Sequence, residues 1–167
     1  MAYNNPLDVI GLLGRNVYSE SMKKAFPEIL IDDLFVPYDG DHLAIINLKQ
    51  SLGIILYFDC THYTPPIYLK KIDSGIVLSA VQFLKPIEKE ESPEGIRWTL
   101  PYNLTFSDTK EIVIKKIGKS PGNTKSDNSV LILEWQEDIY VIHIAFDLTH
   151  QMIQKITYLG KFIESKS

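Results

Sequence analysis

The residues best suited by type and spacing to do chemistry are two Asp and two His in a phrase that occurs twice. Phe58-Asp59-Cys60-Thr61-His62 returns 88 residues later as Phe146-Asp147-Leu148-Thr149-His150. Asp and His are acceptable metal ligands, and a pseudo-symmetric fold would bring the two phrases together. The structural alternative is simpler. Phe belongs to a core, Asp and Thr form the polar end of a strand entering a turn, and His62 and His150 are exposed. We prefer that account. Cys60 has Leu148 as its counterpart, so it reads as a small buried hydrophobe and not as a nucleophilic thiol. Asp32, Asp33, Asp39 and Asp41 lack the spacing and closing Glu of a calcium loop and read as an acidic turn, a candidate patch for a basic partner. Gly11-Leu12-Leu13-Gly14 has no phosphate-loop spacing. The sequence therefore assigns no catalytic residue, no metal and no cofactor.

The repeated phrase sits inside a longer echo. At the same offset Tyr18-Ser19-Glu20-Ser21 falls on Phe106-Ser107-Asp108-Thr109. Leu43, Ile45, Leu52, Ile54 and Leu56 fall on Leu131, Leu133, Tyr140, Ile142 and Ile144. Downstream the offset becomes 75, and Leu78–Leu84 matches Ile153–Leu159. This pattern predicts two tandem degenerate repeats in an α+β fold, each a short helical segment packed on an antiparallel sheet. Residues 1–85 form the first, with N-terminal helices and a hairpin insert at 63–75. The charged, proline-bearing stretch 86–97 is a linker, and 98–167 form the second.

Elements follow from local signals. Pro6–Leu13 predicts a helix ended by Gly14, and Ser19 or Ser21 caps a second one stopped by Pro27. Leu34–Val36, His42–Leu48, Leu52–Asp59 and Ile76–Leu84 read as strands. In the second half a helix from Ser107 or Asp108 to Ile117 is ended by Gly118. Lys119–Ser129 reads as a polar loop, and Val130–Gln136, Ile139–Asp147 and Gln151–Leu159 as a three-stranded meander. Strand alternation puts Tyr140, Ile142, Ile144 and Phe146 on the core face and Val141, His143 and Ala145 on the other. Ile55, Tyr57, Ala80 and Gln82 are the matching open positions in the first half. From this open face Tyr57, Gln82, Glu134, His143, Lys155 and Thr157 are the candidate partner contacts, with Asp32, Asp33, Asp39 and Asp41 as a competing surface.

Composition sets the class. The chain has 167 residues, 45% of them hydrophobic and 11% aromatic, enough for a packed core. A net charge of −4 argues against nucleic acid as a partner. One cysteine excludes an internal disulfide framework. The first residues carry neither a basic region nor a long apolar stretch, and no apolar run reaches the roughly 18 residues of a membrane span. A cytoplasmic protein with no membrane association is expected.

Leu100-Pro101-Tyr102-Asn103-Leu104-Thr105-Phe106, then Val113, then Ile117-Gly118-Lys119-Ser120-Pro121, resembles a phrase of small bacterial immunity proteins from polymorphic-toxin and bacteriocin systems. Asn103 stands where that phrase more often has Gly, and Ser120 adds a residue before the Pro. The tandem plan is also similar to that of the β-lactamase inhibitor proteins, which bind their target through a concave sheet face. Both resemblances imply a non-enzymatic inhibitor that neutralises a cognate secreted toxin by steric occlusion. With no membrane span, the implied toxin is a cytosol-acting enzyme such as a nuclease. A structural or adaptor module is the second reading, and a metal-dependent hydrolase built on the Asp/His phrase the third. The oligomeric state stays open.

Overall fold

The computed structural model describes residues 6–27, 36–37, 44–48, 53–61, 75–85, 100–149 and 151–161. The acidic turn (Asp32, Asp33, Asp39, Asp41), His62, His150, the 63–74 arm and the 86–97 linker lie outside them. The chain opens with α1 (Pro6–Ile10), shorter than its sequence signal because the next residues close tighter turns, Leu12 N–H donating to Val9 C=O and Leu13 N–H to Ile10 C=O, before Gly14 turns the backbone at φ 83. Next comes α2 (Glu20–Ala25), whose capping residue is Ser19, its Oγ accepting from the Met22 N–H at 3.3 Å. Val9, Ile10, Met22 and Phe26 are buried, so these short helices are held by packing more than by propensity. Among the described residues no helix is long and apolar enough to cross a membrane.

Among the described residues eight strands follow: β1 (Val36–Pro37), β2 (Ala44–Leu48), β3 (Ile54–Thr61), β4 (Gly75–Leu84), β5 (Asn123–Ser126), β6 (Val130–Gln136), β7 (Tyr140–Asp147) and β8 (Met152–Gly160). They form one antiparallel sheet in the order β1-β2-β3-β4-β8-β7-β6-β5. The fold is α+β, and both halves of the chain share this single sheet. Within 119–129, read from sequence as a loop, Asn123–Ser126 is a strand paired with Leu131–Glu134. All four of its side chains are exposed, so it carries no alternation to read. The second half thus contributes four strands, not three.

The halves join where β4 meets β8, from Ala80 opposite Leu159 to Leu84 opposite Lys155. The rest of that β4 edge is taken by the α1–α2 connector. Gly14 N–H donates to Leu78 C=O at 2.8 Å, Leu78 N–H to Arg15 C=O at 2.9 Å, and Val17 N–H to Ile76 C=O at 2.9 Å. The β3–β4 ladder shifts register between Tyr57 and Phe58, and the β7–β8 ladder between Ala145 and Phe146. In β2 and β6, however, the 88-residue offset is not kept. Ile46 opposite Leu56 corresponds to Leu133 opposite Ile144, so Ile46 is the buried position and Ile45 lies on the other face.

One face of the sheet holds the core. Phe58, Leu78, Val81, Phe83, Trp135, Ile142, Ile144, Phe146 and Tyr158 are buried there with Met22, Phe26, Leu104 and Val113. The α3 helix (Lys110–Ile117) turns Val113 and Ile117 inward and ends at Gly118, whose φ of 79 is the left-handed conformation of a helix-terminating glycine. Just before this helix the buried Asp108 accepts from Lys116 Nζ at 2.8 Å, Thr105 N–H at 2.9 Å and Thr105 Oγ1 at 3.0 Å. Burial pushes the Asp108 carboxyl up, but the hydrogen bonds from Lys116 and Thr105 outweigh it and hold the group below the usual carboxylate range. Lys116 Nζ also donates to Asn103 C=O at 2.7 Å, tying the helix to the 3₁₀ turn Pro101–Asn103.

Two measurements follow from the core. Asp108→Asn is expected to cost about 2–3 kcal/mol at pH 7, the scale of hydrogen bonds to a charged group. Because the folded carboxyl titrates below its unfolded value, this contribution is complete above about pH 5 and lost as the pH falls through the folded pKa, so in acid the variant and parent converge in urea unfolding. Tyr158 is fully buried against the edges of Phe83 and Tyr140, and its hydroxyl has no hydrogen-bond partner among the described residues. Removing an unsatisfied buried hydroxyl relieves its desolvation cost, so Tyr158→Phe should leave stability unchanged or raise it by about 1 kcal/mol. A loss above about 1 kcal/mol would show that the hydroxyl is bonded.

Candidate binding face

The face opposite the core carries the six sheet residues expected from strand alternation, and the register shows how they meet. Asn47, Ile55, Gln82, Thr157, His143, Glu134 and Asn123 stand opposite one another in turn, a single row from β2 to β5. Tyr57 lies in the neighbouring row, opposite Ala80. Lys155 lies in the row on the other side, between Leu84 and Ala145. All six candidates therefore share one face.

Hydrogen bonds group them in two sets. Tyr57 OH meets Gln82 Oε1 at 3.3 Å, and Gln82 Nε2 donates to Thr157 Oγ1 at 3.0 Å. Farther along, His143 Nε2 and Glu134 Oε2 are 3.0 Å apart, and Gln136 Nε2 donates to Glu134 Oε1 at 2.8 Å. The sets link side chains of five strands across the face. Gln82 is buried at 9% exposure and Ala80 at 0%. Both sit at mid-sheet below longer neighbours, so the face is less open at β4 than alternation alone implies. Gln82 braces Tyr57 and Thr157 and offers little surface itself.

Sequence reasoning missed the outer part of this face. Asn123, Lys125, Ile132, Glu134 and His143 line a concavity of about 160 Å³ over β5, β6 and β7. Asn123 and Lys125 belong to the strand read as a loop. The signal that points to them is the turn Asp127-Asn128-Ser129, in which Ser129 N–H donates to Asp127 Oδ1 at 3.1 Å and Asp127 N–H to Val130 C=O at 3.0 Å. A turn of that composition before a strand implies a paired strand on its other side.

The two Phe-Asp-x-Thr-His phrases do not converge. Ile55 and His143 share a row, and β3 and β7 run in opposite directions from it. Asp59 and Asp147 thus lie toward opposite ends of the sheet, about 26 Å apart along the strands at some 3.3 Å per residue. A metal site shared between the phrases is excluded for these two carboxylates. Asp147 instead accepts from the Thr149 N–H at 2.8 Å, the Asx turn of a strand end.

The His143–Glu134 pair is about one-third exposed on the His side, so it is screened by solvent. A double-mutant cycle of His143→Ala and Glu134→Ala, read by urea unfolding, should give a coupling below about 1 kcal/mol. A larger value would make the pair part of the fold's stability and not a feature of its surface. No protein-family model matches the chain, and no curated protein or solved structure does either.

Proposed function

We infer that this chain is a protein-binding inhibitor of the immunity type, which covers a cognate secreted toxin with its open sheet face. The observation that carries this reading is the row of side chains from seven strands on one face. Six inter-strand spacings make it about 29 Å wide, and a standard protein interface covers roughly 800 Å² per partner, a patch of similar width. The mechanism is steric: the face occludes the toxin's working surface and no bond is made or broken. The target is an enzyme acting in the cytosol, such as a nuclease, and the inhibitor works in the cytoplasm. The chain's net charge of −4 would steer it toward a basic enzyme.

Two further observations favour the same reading. Asn103, which replaces the commoner Gly of the immunity-protein phrase, has φ 54, a left-handed conformation that Gly adopts freely and Asn tolerates. Gly118 of the same phrase ends α3 at φ 79. The tandem plan has support as well. The strand order is symmetric about the β4–β8 pair, and the register shifts at Tyr57/Phe58 and Ala145/Phe146 keep the 88-residue offset. Their partners Ala80 and Lys155 keep the offset of 75. We take the halves as degenerate copies of one helix-plus-sheet unit.

Co-expression with the product of the adjacent upstream reading frame, followed by affinity capture, tests the function. An equimolar complex and protection of host cells are expected. Tyr57→Ala should weaken the complex by about 2 kcal/mol, roughly 30-fold, since large aromatic side chains carry a disproportionate share of binding energy. If Tyr57→Ala and Thr157→Ala both bind and protect like the parent, the sheet face is not the contact surface. Charge reversal at Asp32, Asp33, Asp39 and Asp41 then tests the competing surface through the salt dependence of association.

A further inference from the structure

Two cations on the open face have no counter-charge among the described residues. Lys125 on β5 and Lys155 on β8 belong to one row, Lys125-Ile132-Ala145-Lys155, in which each residue stands opposite the next. Neither lysine has a hydrogen-bond or ion-pair partner among the described residues. The nearby carboxylate, Glu134, is already bonded to His143 and Gln136. Between the lysines lie the half-buried Ile132 and the short Ala145, which is 3% exposed, so the row dips at its centre. Lys125 and Ile132 of this row also line the concavity shared with Asn123, Glu134 and His143.

We propose that this row is a docking site for an acidic segment of the protein partner, with one carboxylate at each lysine and an apolar side chain between them in the dip. The proposal rests on the reading of this face as the binding face and names the chemistry that the face accepts. Three inter-strand spacings separate the two lysine positions, about 14 Å. In an extended segment, residues i and i+4 point the same way and are about 13 Å apart, with residue i+2 between them. The pattern that fits is therefore acidic, apolar, acidic at every second residue, Glu-x-Val-x-Glu. A nucleic-acid backbone fits poorly, because it needs many phosphates neutralised and this row supplies two cations in a chain of net charge −4. Negative steering at long range and acidic recognition at contact are compatible in a basic enzyme with a carboxylate-lined metal cleft, as two-metal nucleases have.

The test uses the full chain and a labelled, end-blocked peptide of sequence Thr-Glu-Thr-Val-Thr-Glu-Thr. Fluorescence anisotropy gives its affinity, and amide chemical-shift changes locate it. The expected result is saturable binding with shifts centred on Lys125, Ile132, Ala145 and Lys155. Affinity should fall at least tenfold when both Glu are replaced by Gln, or when Lys125→Glu and Lys155→Glu are combined. The milder pair Lys125→Gln and Lys155→Gln should fall at least threefold and serves if the reversal disturbs folding. Absence of binding at millimolar peptide, shifts elsewhere on the chain, or equal binding to the reversal variant would each overturn the proposal. So would tighter binding of a single-stranded oligonucleotide of the same charge. Because no toxin is present, this outcome is independent of the capture experiment, and either reading can fail alone.

Discussion

Everything on the open face depends on the short ladder between β4 and β8. Its pairs run only from Ala80–Leu159 to Leu84–Lys155, yet it turns two separate meanders into one sheet. Without it Gln82 and Thr157 would not face each other, and the row from Asn47 to Asn123 would end at each half's own edge. The ladder is also the least local part of the structure, joining residues more than 70 positions apart in the chain. Its closure costs loop entropy that the β3–β4 and β7–β8 hairpins do not face. The core beneath it, with Val81, Phe83, Ile156 and Tyr158 fully buried, is what offsets that cost.

The bulged register gives the face its relief. At Ala145/Phe146 the ladder shifts because β8 carries an extra residue, Gln154, as β4 carries Ser79 at Tyr57/Phe58; β7 itself keeps its alternation, with Ala145 on the open face and Phe146 in the core. A bulge bends the strand and increases its twist. The small side chain at Ala145 then leaves the dip between Ile132 and Lys155. At Tyr57/Phe58 the same shift is paired with a large side chain, and Tyr57 stands up from the sheet to meet Gln82. One backbone device thus gives a recess on one half and a projection on the other.

Most of this was legible in the sequence wherever one face is buried. The core members Phe58, Ile142, Ile144 and Phe146, the Ser19 cap and the Gly118 stop follow from alternation and capping chemistry. What failed had a common cause. The β5 strand is exposed on both faces, so its pairing leaves no hydrophobic period, and Lys125 went unnoticed with it. The β2 equivalence slipped by one residue, from Ile46 to Ile45, because both are Ile and a turn-length difference is invisible without the ladder. Gln82 was taken as open because alternation reports which way a side chain points and not how tall its neighbours are.

The α1–α2 connector has a further consequence. Where β8 stops pairing with β4, residues Gly14 to Val17 take over the Ile76–Leu78 edge. An open strand edge of that kind is apolar on its flanks and offers unpaired N–H and C=O groups to any extended chain. The beginning of the chain therefore acts as a chaperone for its own middle. It occupies the Ile76–Leu78 stretch, so that no second extended chain can pair with that part of β4.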